Sequence, residues 1–145
     1  MPETLIPPGN VLMANLWQTL QCLQKLHLVI ARKYQLNVAE WQCVCALYHQ
    51  DHQGTSELAR TIGWVPTAFT PIIDQLEAKG WIMRESDAQD RRVVRLALTA
   101  LAHEHRSRIL DDAAAVQKVI RTKLNASDYQ TLLDMLKALQ TLALE

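Results

Sequence analysis

The stretch from residue 55 to residue 99 constrains the fold most, because two helical segments that end at glycines are followed at once by two strand-like segments. A short helical segment, expected to be capped by Thr55, ends at Gly63, and a second helical segment ends at Gly80. "WIMRE" and "RVVRLAL" are typical of strands, and the polar residues "SDAQD" between them predict a hairpin. Together these segments predict a helix-turn-helix followed by a wing.

Two helices are predicted before this stretch. Apolar residues at three- and four-residue steps indicate a long helix over residues 11–34, with Asn10 as its cap. Asn37 and Glu40 have the N-x-x-E spacing of a capping box, which predicts a second helix that runs to about His49. The segment "HQDHQGT" that follows indicates a loop.

Two more helices are predicted after the hairpin. Thr99 is expected to cap a long helix that extends to about Lys123, and Ser127 with Gln130 has the spacing of another capping box at the start of the last helix. The first helix and the last two carry apolar stripes, which a second copy of the chain would cover.

This order of elements predicts a fold class that is mainly α (α+β), namely a winged helix-turn-helix domain with N- and C-terminal dimerisation helices. The predicted regions are an N-terminal dimerisation helix over residues 1–36, a winged helix-turn-helix region over residues 37–99 and C-terminal dimerisation helices over residues 100–145. We expect them to form one compact chain of an intertwined dimer.

Composition narrows the function classes. Fifteen Lys and Arg residues balance fifteen Asp and Glu residues, which argues against a broad, nonspecific nucleic-acid coat. Polar residues interrupt the apolar runs, and the N-terminus has no basic region followed by an apolar core, so neither a membrane span nor a signal peptide is expected. Cys22, Cys43 and Cys45 are predicted to be reduced, buried thiols in a cytoplasmic protein. No arrangement typical of an enzyme active site is present, and no cofactor is expected.

The segment "GWIMRESDAQDRRVVRLALTALA", residues 80–102, resembles the wing signature of the MarR-type winged-helix regulators. The preceding "SELARTIGWVPTAFTPIIDQLEAKG" is similar to the helix-turn-helix of that family. The resemblance extends over nearly the whole chain. It implies a homodimeric, cytoplasmic transcription regulator, more often a repressor than an activator, that binds a pseudo-palindromic operator on double-stranded DNA and responds to a small-molecule effector. The wing residues that carry the resemblance are Gly80, Ile82, Arg84, Asp90, Arg91, Arg92, Val94, Leu98 and Thr99.

The resemblance also implies roles for residues of the wing and of the first helix of the motif. Arg92 is the candidate for insertion into the minor groove, where an arginine meets strong negative potential. Arg91 and Arg84 are expected to contact phosphate or to brace the hairpin, and Asp90 is expected to pair with a neighbouring arginine. Thr55 and Arg60 are candidates for contacts with the DNA backbone, and an ordinary surface role for Arg60 stays open. These residues are Thr55, Arg60, Arg84, Asp90, Arg91 and Arg92.

The second helix of the motif departs from the family, which usually has a polar residue where Pro71 lies and often an Arg where Gln75 lies. Thr67, Thr70 and Gln75 can hydrogen-bond to bases or phosphates, and Ala68 with Pro71 can touch thymine methyl groups. We expect a continuous helix from about Pro66, with Val65 at its cap and with Phe69 and Ile73 facing the core. In the alternative, Thr70 is the cap and Pro71 is the first helical residue.

Several residues are candidates for sensing. Trp17 and Trp41 would line an effector cleft for a lipophilic or aromatic molecule, although a place in the core suits them equally. Cys22 would be the thiol of an oxidant sensor. Lys25 is one turn away, but a buried structural thiol is favoured because Cys22 lies in the middle of a helix among leucines. The histidine-containing groups at residues 49–52 and 103–105 are expected to be solvated surface, so no metal site is predicted.

A second function class stays open at this point. The winged fold could serve as a protein-interaction module with weakened DNA binding, and Pro71 in the expected recognition helix is the feature that favours it.

Overall fold

The computed structural model describes residues 8–143, with side chains described for residues 11–143. The chain divides after Ile109 into two compact units. In chain order the helices and strands are α1 (Pro8–Ala31), a 3-10 turn (Arg32–Tyr34), α2 (Val38–His49), β1 (Gln53–Gly54), α3 (Thr55–Thr61), α4 (Pro66–Ala78), β2 (Ile82–Ser86), β3 (Val94–Leu98), α5 (Ala100–Arg121) and α6 (Ala126–Leu139).

The first two helices were predicted with one error at the start. Helix α1 begins at Pro8, so Asn10 lies inside the helix and the prediction of a cap there is wrong. A proline is well tolerated in a first turn, where the backbone N–H groups lack helical partners anyway. Helix α2 begins with the predicted capping box. The Asn37 side chain accepts from Glu40 N at 2.8 Å, and Glu40 Oε1 accepts from Asn37 N at 3.1 Å.

The sheet has three antiparallel strands in the order β1-β3-β2. The predicted hairpin is confirmed, with Ile82 opposite Leu98 and Ser86 opposite Val94. Strand β1 falls in the segment that was predicted to be a loop, and Gln53 pairs with Leu96. Its two residues are too few for an alternating pattern, so only the pairing with β3 reveals the strand.

Helix α3 begins differently from the prediction. Gly54, not Thr55, is the N-cap, and the Glu57 carboxylate accepts from Gly54 N at 3.4 Å. A glycine N-cap has no side chain to offer, so the glutamate at the third helical position supplies the capping contact. Gly63 follows the helix with φ +79°, a left-handed conformation that favours glycine.

Helix α4 is continuous, as expected. Val65 is its N-cap, Pro66 is the first residue and Pro71 lies inside the helix, so the alternative cap at Thr70 is wrong. Phe69 and Ile73 are fully buried, as the predicted register requires. Burial of these apolar side chains against the neighbouring elements outweighs the one backbone hydrogen bond that Pro71 removes.

The core of the first unit lies between α2, α3, α4 and the sheet. Its largest fully buried apolar side chains include Leu47, Leu58, Phe69, Ile73, Leu76 and Leu96. The helix-turn-helix and the wing are therefore fixed to one another by a shared apolar core. This core therefore fixes the position of the exposed face of α4 relative to the exposed face of the hairpin.

The second unit contains α6, and its cap was predicted two residues too late. Asn125, not Ser127, is the N-cap, and its Oδ1 accepts from Asp128 N at 2.8 Å. Asparagine is as good an N-cap as serine, so the helix can begin two residues before the predicted capping box. Within this unit the Arg121 guanidinium lies 4.9 Å from the centre of the Tyr129 ring.

Apolar side chains remain exposed along helices at both ends of the described chain. They include Leu12, Met13, Leu16, Trp17 and Leu20 on α1, and Leu132, Met135 and Leu139 on α6. The prediction that Cys22 is buried is wrong for the single chain, because this thiol is exposed on α1. None of the helices formed by residues 8–143 is both long and apolar enough to cross a membrane.

Candidate nucleic-acid interface

Helix α4 has two distinct faces. One face packs into the core through Phe69, Ile73 and Leu76, which are all 0% exposed. The opposite face presents the five predicted base-contacting residues, and each of them is exposed: Thr67, Ala68, Thr70, Pro71 and Gln75. The structure therefore brings these residues together on the solvent-facing side of α4, where they supply hydroxyls, an amide and apolar groups. The carboxylates of Asp74 and Glu77 are exposed on this helix as well.

Pro71 changes the hydrogen bonding of this face. Proline has no backbone N–H, so the Thr67 carbonyl loses the acceptor role that a continuous helix would give it. The helix still extends to Ala78, where the Lys79 N–H donates to Gln75 O at 2.9 Å. The Thr67 side chain, with its hydroxyl, lies on the exposed face.

The wing tip presents an arginine to solvent. The Arg92 side chain is 91% exposed, and its Nε donates to Asp90 Oδ1 at 3.1 Å. Asp90 also accepts from the Arg92 backbone N–H, and these two hydrogen bonds from Arg92 lower the pKa of the Asp90 carboxyl. Asp90 therefore stays ionised and orients Arg92 at the tip. The adjacent Arg91 is exposed and forms no ion pair with any described residue.

A second aspartate fixes the start of the loop that joins the two hairpin strands. The sequence did not reveal its partner. Asp87 accepts from Gln89 N at 2.8 Å and from Arg95 Nε at 2.8 Å, and these contacts lower the pKa of Asp87, the Gln89 hydrogen bond most. The Asp87 N–H donates to Val93 O at 2.9 Å. Arg95 is half-exposed on β3, so its charge serves the shape of the wing. The eight-residue separation of Asp87 and Arg95 becomes contact only when the hairpin forms.

Arg84 connects the wing to α4. Its Nη2 lies 2.6 Å from Asp74 Oδ1 and its Nη1 lies 2.7 Å from Glu77 Oε1, and the hydrogen bond to Asp74 is the largest cause that raises the pKa of Arg84. Of the two roles left open for Arg84, these contacts favour a brace over a phosphate contact. They also set the single positive charge of Arg84 against both carboxylates on the exposed side of α4, so it offsets their combined charge in part.

The remaining candidates for backbone contacts lie on α3. Thr55 is its first residue, and Arg60 is exposed near its end. Arg60 forms no ion pair with any described residue, so its charge is available to an external anion.

A cavity of about 260 Å³ lies between α1, the start of α2 and the turn of the helix-turn-helix. Leu20, Val38, Ala39, Ile62 and Trp64 form most of its apolar wall. The tryptophans proposed for an effector cleft lie elsewhere. Trp41 is buried and stacks on Tyr34, with ring centres 5.9 Å apart, and Trp17 is 64% exposed on α1. The structure does not bring Trp17 and Trp41 together in this cavity, and their role in an effector site stays a prediction.

With this geometry in place, the chain can be compared with known proteins. The family model described as "MarR family" matches residues 36–94, which span α2, α3, α4, the wing and most of the sheet.

Residues 36–94 are thus similar to the MarR family.

The curated relatives of this protein are transcription regulators. YdgJ of Bacillus subtilis, an HTH-type transcriptional regulator, is 25% identical over 118 residues, which cover 79% of this chain and 72% of YdgJ. The transcriptional repressor MprA of Escherichia coli is 42% identical over 55 residues, which cover 38% of this chain and 31% of MprA. The match to this family of transcription regulators confirms the prediction that the chain is not an enzyme.

Solved structures share the fold over most of the chain. CouR, a transcriptional repressor bound to a 23-mer DNA duplex, superposes with a TM-score of 0.75 at 22% identity, covering 94% of this chain and 99% of CouR. The organohalide-sensing regulator RdhR in its 2,4-dichlorophenol-bound form superposes with a TM-score of 0.78 at 20% identity, covering 95% of this chain and 82% of RdhR. The predicted winged-helix fold class is confirmed.

Two histidine groups that are distant in the sequence lie close in the structure. Asp51 Oδ2 lies 3.8 Å from His52 Nε2 and 3.9 Å from His103 Nε2, and His52 Nδ1 lies 3.4 Å from Glu85 Oε2. Asp51 Oδ1 also accepts from Leu98 N at 3.0 Å, so this cluster anchors the end of β3. Across residues 8–143, no group of three or more His, Cys, Asp or Glu side chains could hold a metal ion.

The three thiols of the protein have different surroundings. Burial raises the pKa of Cys43 to about 12, with the Glu40 carboxylate as the next cause, and burial alone raises the pKa of Cys45 to about 12. Both thiols are therefore poor nucleophiles at neutral pH. Cys22 is the exposed thiol of the described chain.

Proposed function

We propose that this protein is a sequence-specific, DNA-binding transcription regulator that acts as a homodimer in the cytoplasm and represses its target genes. The observation that carries the proposal is the exposed face of α4, whose five uncharged residues stand beside a wing that presents Arg92. A recognition helix reads base edges through its exposed face, and a wing arginine suits the minor groove. The DNA-bound state of CouR supports DNA as the partner.

In this proposal α4 and the arginines make different kinds of contact with DNA. Thr67, Thr70 and Gln75 hydrogen-bond to bases or phosphates, while Ala68 and Pro71 contact thymine methyl groups. Charge comes from Arg60 and Arg91, which form no ion pair with any described residue, and from Arg92, whose side chain is 91% exposed although it pairs with Asp90. The other cations of the region have internal partners. Lys79, Arg84 and Arg95 are held by Glu40, by Asp74 with Glu77, and by Asp87 respectively. Binding should therefore depend on salt less steeply than in a strongly basic regulator.

The exposed apolar residues of α1 and α6 support the homodimer. A two-fold dimer would cover these stripes and present two copies of α4 to successive turns of DNA. The two half-sites of the operator would then lie about one helical turn, roughly 34–36 Å, apart. A pseudo-palindromic operator follows from this symmetry.

An effector is part of the proposal. The cavity beside Trp64 is lined by apolar side chains together with Gln24 and Gln42, and it has room for a small aromatic molecule. RdhR with its bound 2,4-dichlorophenol supports that chemistry. Occupancy of the cavity would alter the placement of the helix-turn-helix against α1 and α2. Because the half-site spacing is set by geometry, a small displacement of α4 weakens binding.

A protein-interaction module is the second candidate, favoured by Pro71 inside α4 and by the small number of free cations. A mobility-shift titration with duplexes from the region upstream of the gene separates the two functions. We expect a specific shift for the wild type, a loss of about 10-fold or more for Arg92→Ala if two minor-groove contacts of about 1 kcal/mol each are lost per dimer, and little change for Arg108→Ala. Arg108 is an exposed arginine on α5 and serves as the matched control. An unshifted wild type would favour the interaction module.

A further inference from the structure

A buried carboxylate ties α2 to the end of α4. Glu40 is 1% exposed, and Lys79 Nζ lies 2.9 Å from its Oε1 and 2.7 Å from its Oε2. The same Nζ donates to Gln35 O at 2.9 Å, in the left-handed turn between α1 and α2. Lys79 is the C-cap of α4, so one ammonium group joins the last residue of the proposed recognition helix to the entry of α2.

The carboxylate has little freedom to exchange this partner. Oε1 also accepts from Asn37 N at 3.1 Å, whereas the buried Oε2 has the Lys79 ammonium as its ion-pair partner and makes no hydrogen bond with any described group. A buried charge that loses its counter-ion is costly, because water does not reach it to compensate. Lys79 has to follow Glu40 when α2 moves, or the contact is lost at a large energetic penalty.

The same turn of α2 forms part of the cavity wall. Val38 and Ala39 line the cavity of about 260 Å³, and Glu40 is the next residue along the chain. Asn37 and Val38 also line a neighbouring cavity of about 400 Å³, together with Gln21, Gln24 and Lys25 of α1. The capping-box turn, residues 37–40, thus lines the two cavities through Asn37, Val38 and Ala39. It contacts the end of α4 through Glu40.

We propose that the Glu40–Lys79 ion pair is the link through which occupancy of the cavity changes the position of α4. The proposal rests on the proposed function, since it describes how that interface is regulated. A molecule in the cavity shifts α4 only in so far as it binds the displaced arrangement better than the native one. A displacement of residues 37–40 of about an ångström would break contacts of 2.7–2.9 Å unless the C-terminal turn of α4 moves with it.

The test replaces the unidentified effector by a side chain. Ala39→Phe places a ring in the cavity, and Lys79→Met removes the ammonium while keeping most of the apolar stem. Operator affinity is measured for the wild type, for both single variants and for the double variant. We expect Ala39→Phe to weaken binding at least about 5-fold more in the wild-type background than in the Lys79→Met background, a coupling of ordinary allosteric size.

Three further variants distinguish the loss of this link from a general loss of folding or of operator binding. Glu40→Gln keeps the capping pattern without the charge and should reduce the coupling as Lys79→Met does. Lys79→Arg keeps the positive charge and should retain most of the coupling. Lys123→Met removes an exposed lysine after α5 and should leave the coupling at its wild-type value. Circular dichroism of each variant identifies any that fails to fold.

A second readout does not require DNA. Amide hydrogen exchange of Lys79, Gly80 and Trp81 reports on the last turn of α4, where these N–H groups donate to Gln75 O, Glu77 O and Leu76 O. Ala39→Phe should speed this exchange in the wild-type background and not in the Lys79→Met background. Equal effects in both backgrounds, or none in either, would overturn the link. If the wild type binds no operator duplex, the proposed function fails and the exchange data alone decide whether the link exists.

Discussion

Arg84 offers the sharpest test of how the wing and α4 share the contact with DNA. Its guanidinium is held by Asp74 at 2.6 Å and by Glu77 at 2.7 Å, whereas Arg91 on the same hairpin has no ion-pair partner among the described residues. The perturbation is a pair of matched variants, Arg84→Gln and Arg91→Gln. Both remove one positive charge from the wing of each protomer.

The two variants should differ in the salt dependence of operator binding. Each phosphate contact contributes about −0.9 to the slope of log affinity against log salt concentration, so the loss of Arg91 from both protomers should make the slope shallower by about 1.8. Arg84→Gln removes no phosphate contact in this interpretation. It leaves the carboxylates of Asp74 and Glu77 facing the DNA without a counter-ion, so it should lower affinity without making the slope shallower.

Stability and rescue complete the test. The side chains of Arg84, Asp74 and Glu77 are 33%, 59% and 42% exposed, so solvent screens both pairs and each should contribute about 0.2–1 kcal/mol to folding. Denaturant titration should therefore show a loss below about 2 kcal/mol for Arg84→Gln. Adding Asp74→Asn and Glu77→Gln to Arg84→Gln should restore much of the lost affinity, because the repulsion is removed.

Fluorescence anisotropy with a labelled operator duplex, titrated from about 50 to about 200 mM salt, measures the slopes over the range where phosphate contacts have the largest effect. The reasoning is refuted if Arg84→Gln makes the slope shallower by as much as Arg91→Gln does. Failure of the two carboxylate substitutions to restore affinity would argue against repulsion as the cause of the loss.

Four other predictions follow from packing and titration. Phe69→Ala should lower the free energy of unfolding by about 3–5 kcal/mol in denaturant titration, because the ring is 0% exposed in the core; a loss below about 1 kcal/mol would contradict this. Gly80→Ala should cost about 1 kcal/mol or more, since Gly80 has φ +83°, and the thermal midpoint should fall accordingly. Cys43 and Cys45 should resist alkylation in the folded protein at about pH 8 while Cys22 reacts, as mass spectrometry would show. Because burial raises the pKa of Cys43 and Cys45 from 9.0 to about 12, the unfolded chain loses these protons first, and stability should fall as pH rises above 9.0.

The sequence by itself determined the order of elements and the register of α4. Capping signals and glycines act over a few residues, so Asn37 with Glu40, Gly63 and Gly80 mark helix ends without help from the rest of the fold. Pro71 was expected inside a continuous helix because Phe69 and Ile73 had to face the core, and the structure has this arrangement. The exposed face of α4 follows from the same helical period.

Tertiary structure decided which charged groups meet. Arg84 with Asp74 and Glu77, Arg95 with Asp87, and Lys79 with Glu40 are pairs that helix packing and the hairpin create, at separations of 7 to 39 residues. No local pattern specifies such contacts, since a charged residue on a surface helix is ordinarily solvated. Strand β1 likewise exists only because β3 pairs with Gln53 and Gly54. Local chemistry thus set where each helix begins and ends, and long-range packing set which cations stay available to DNA.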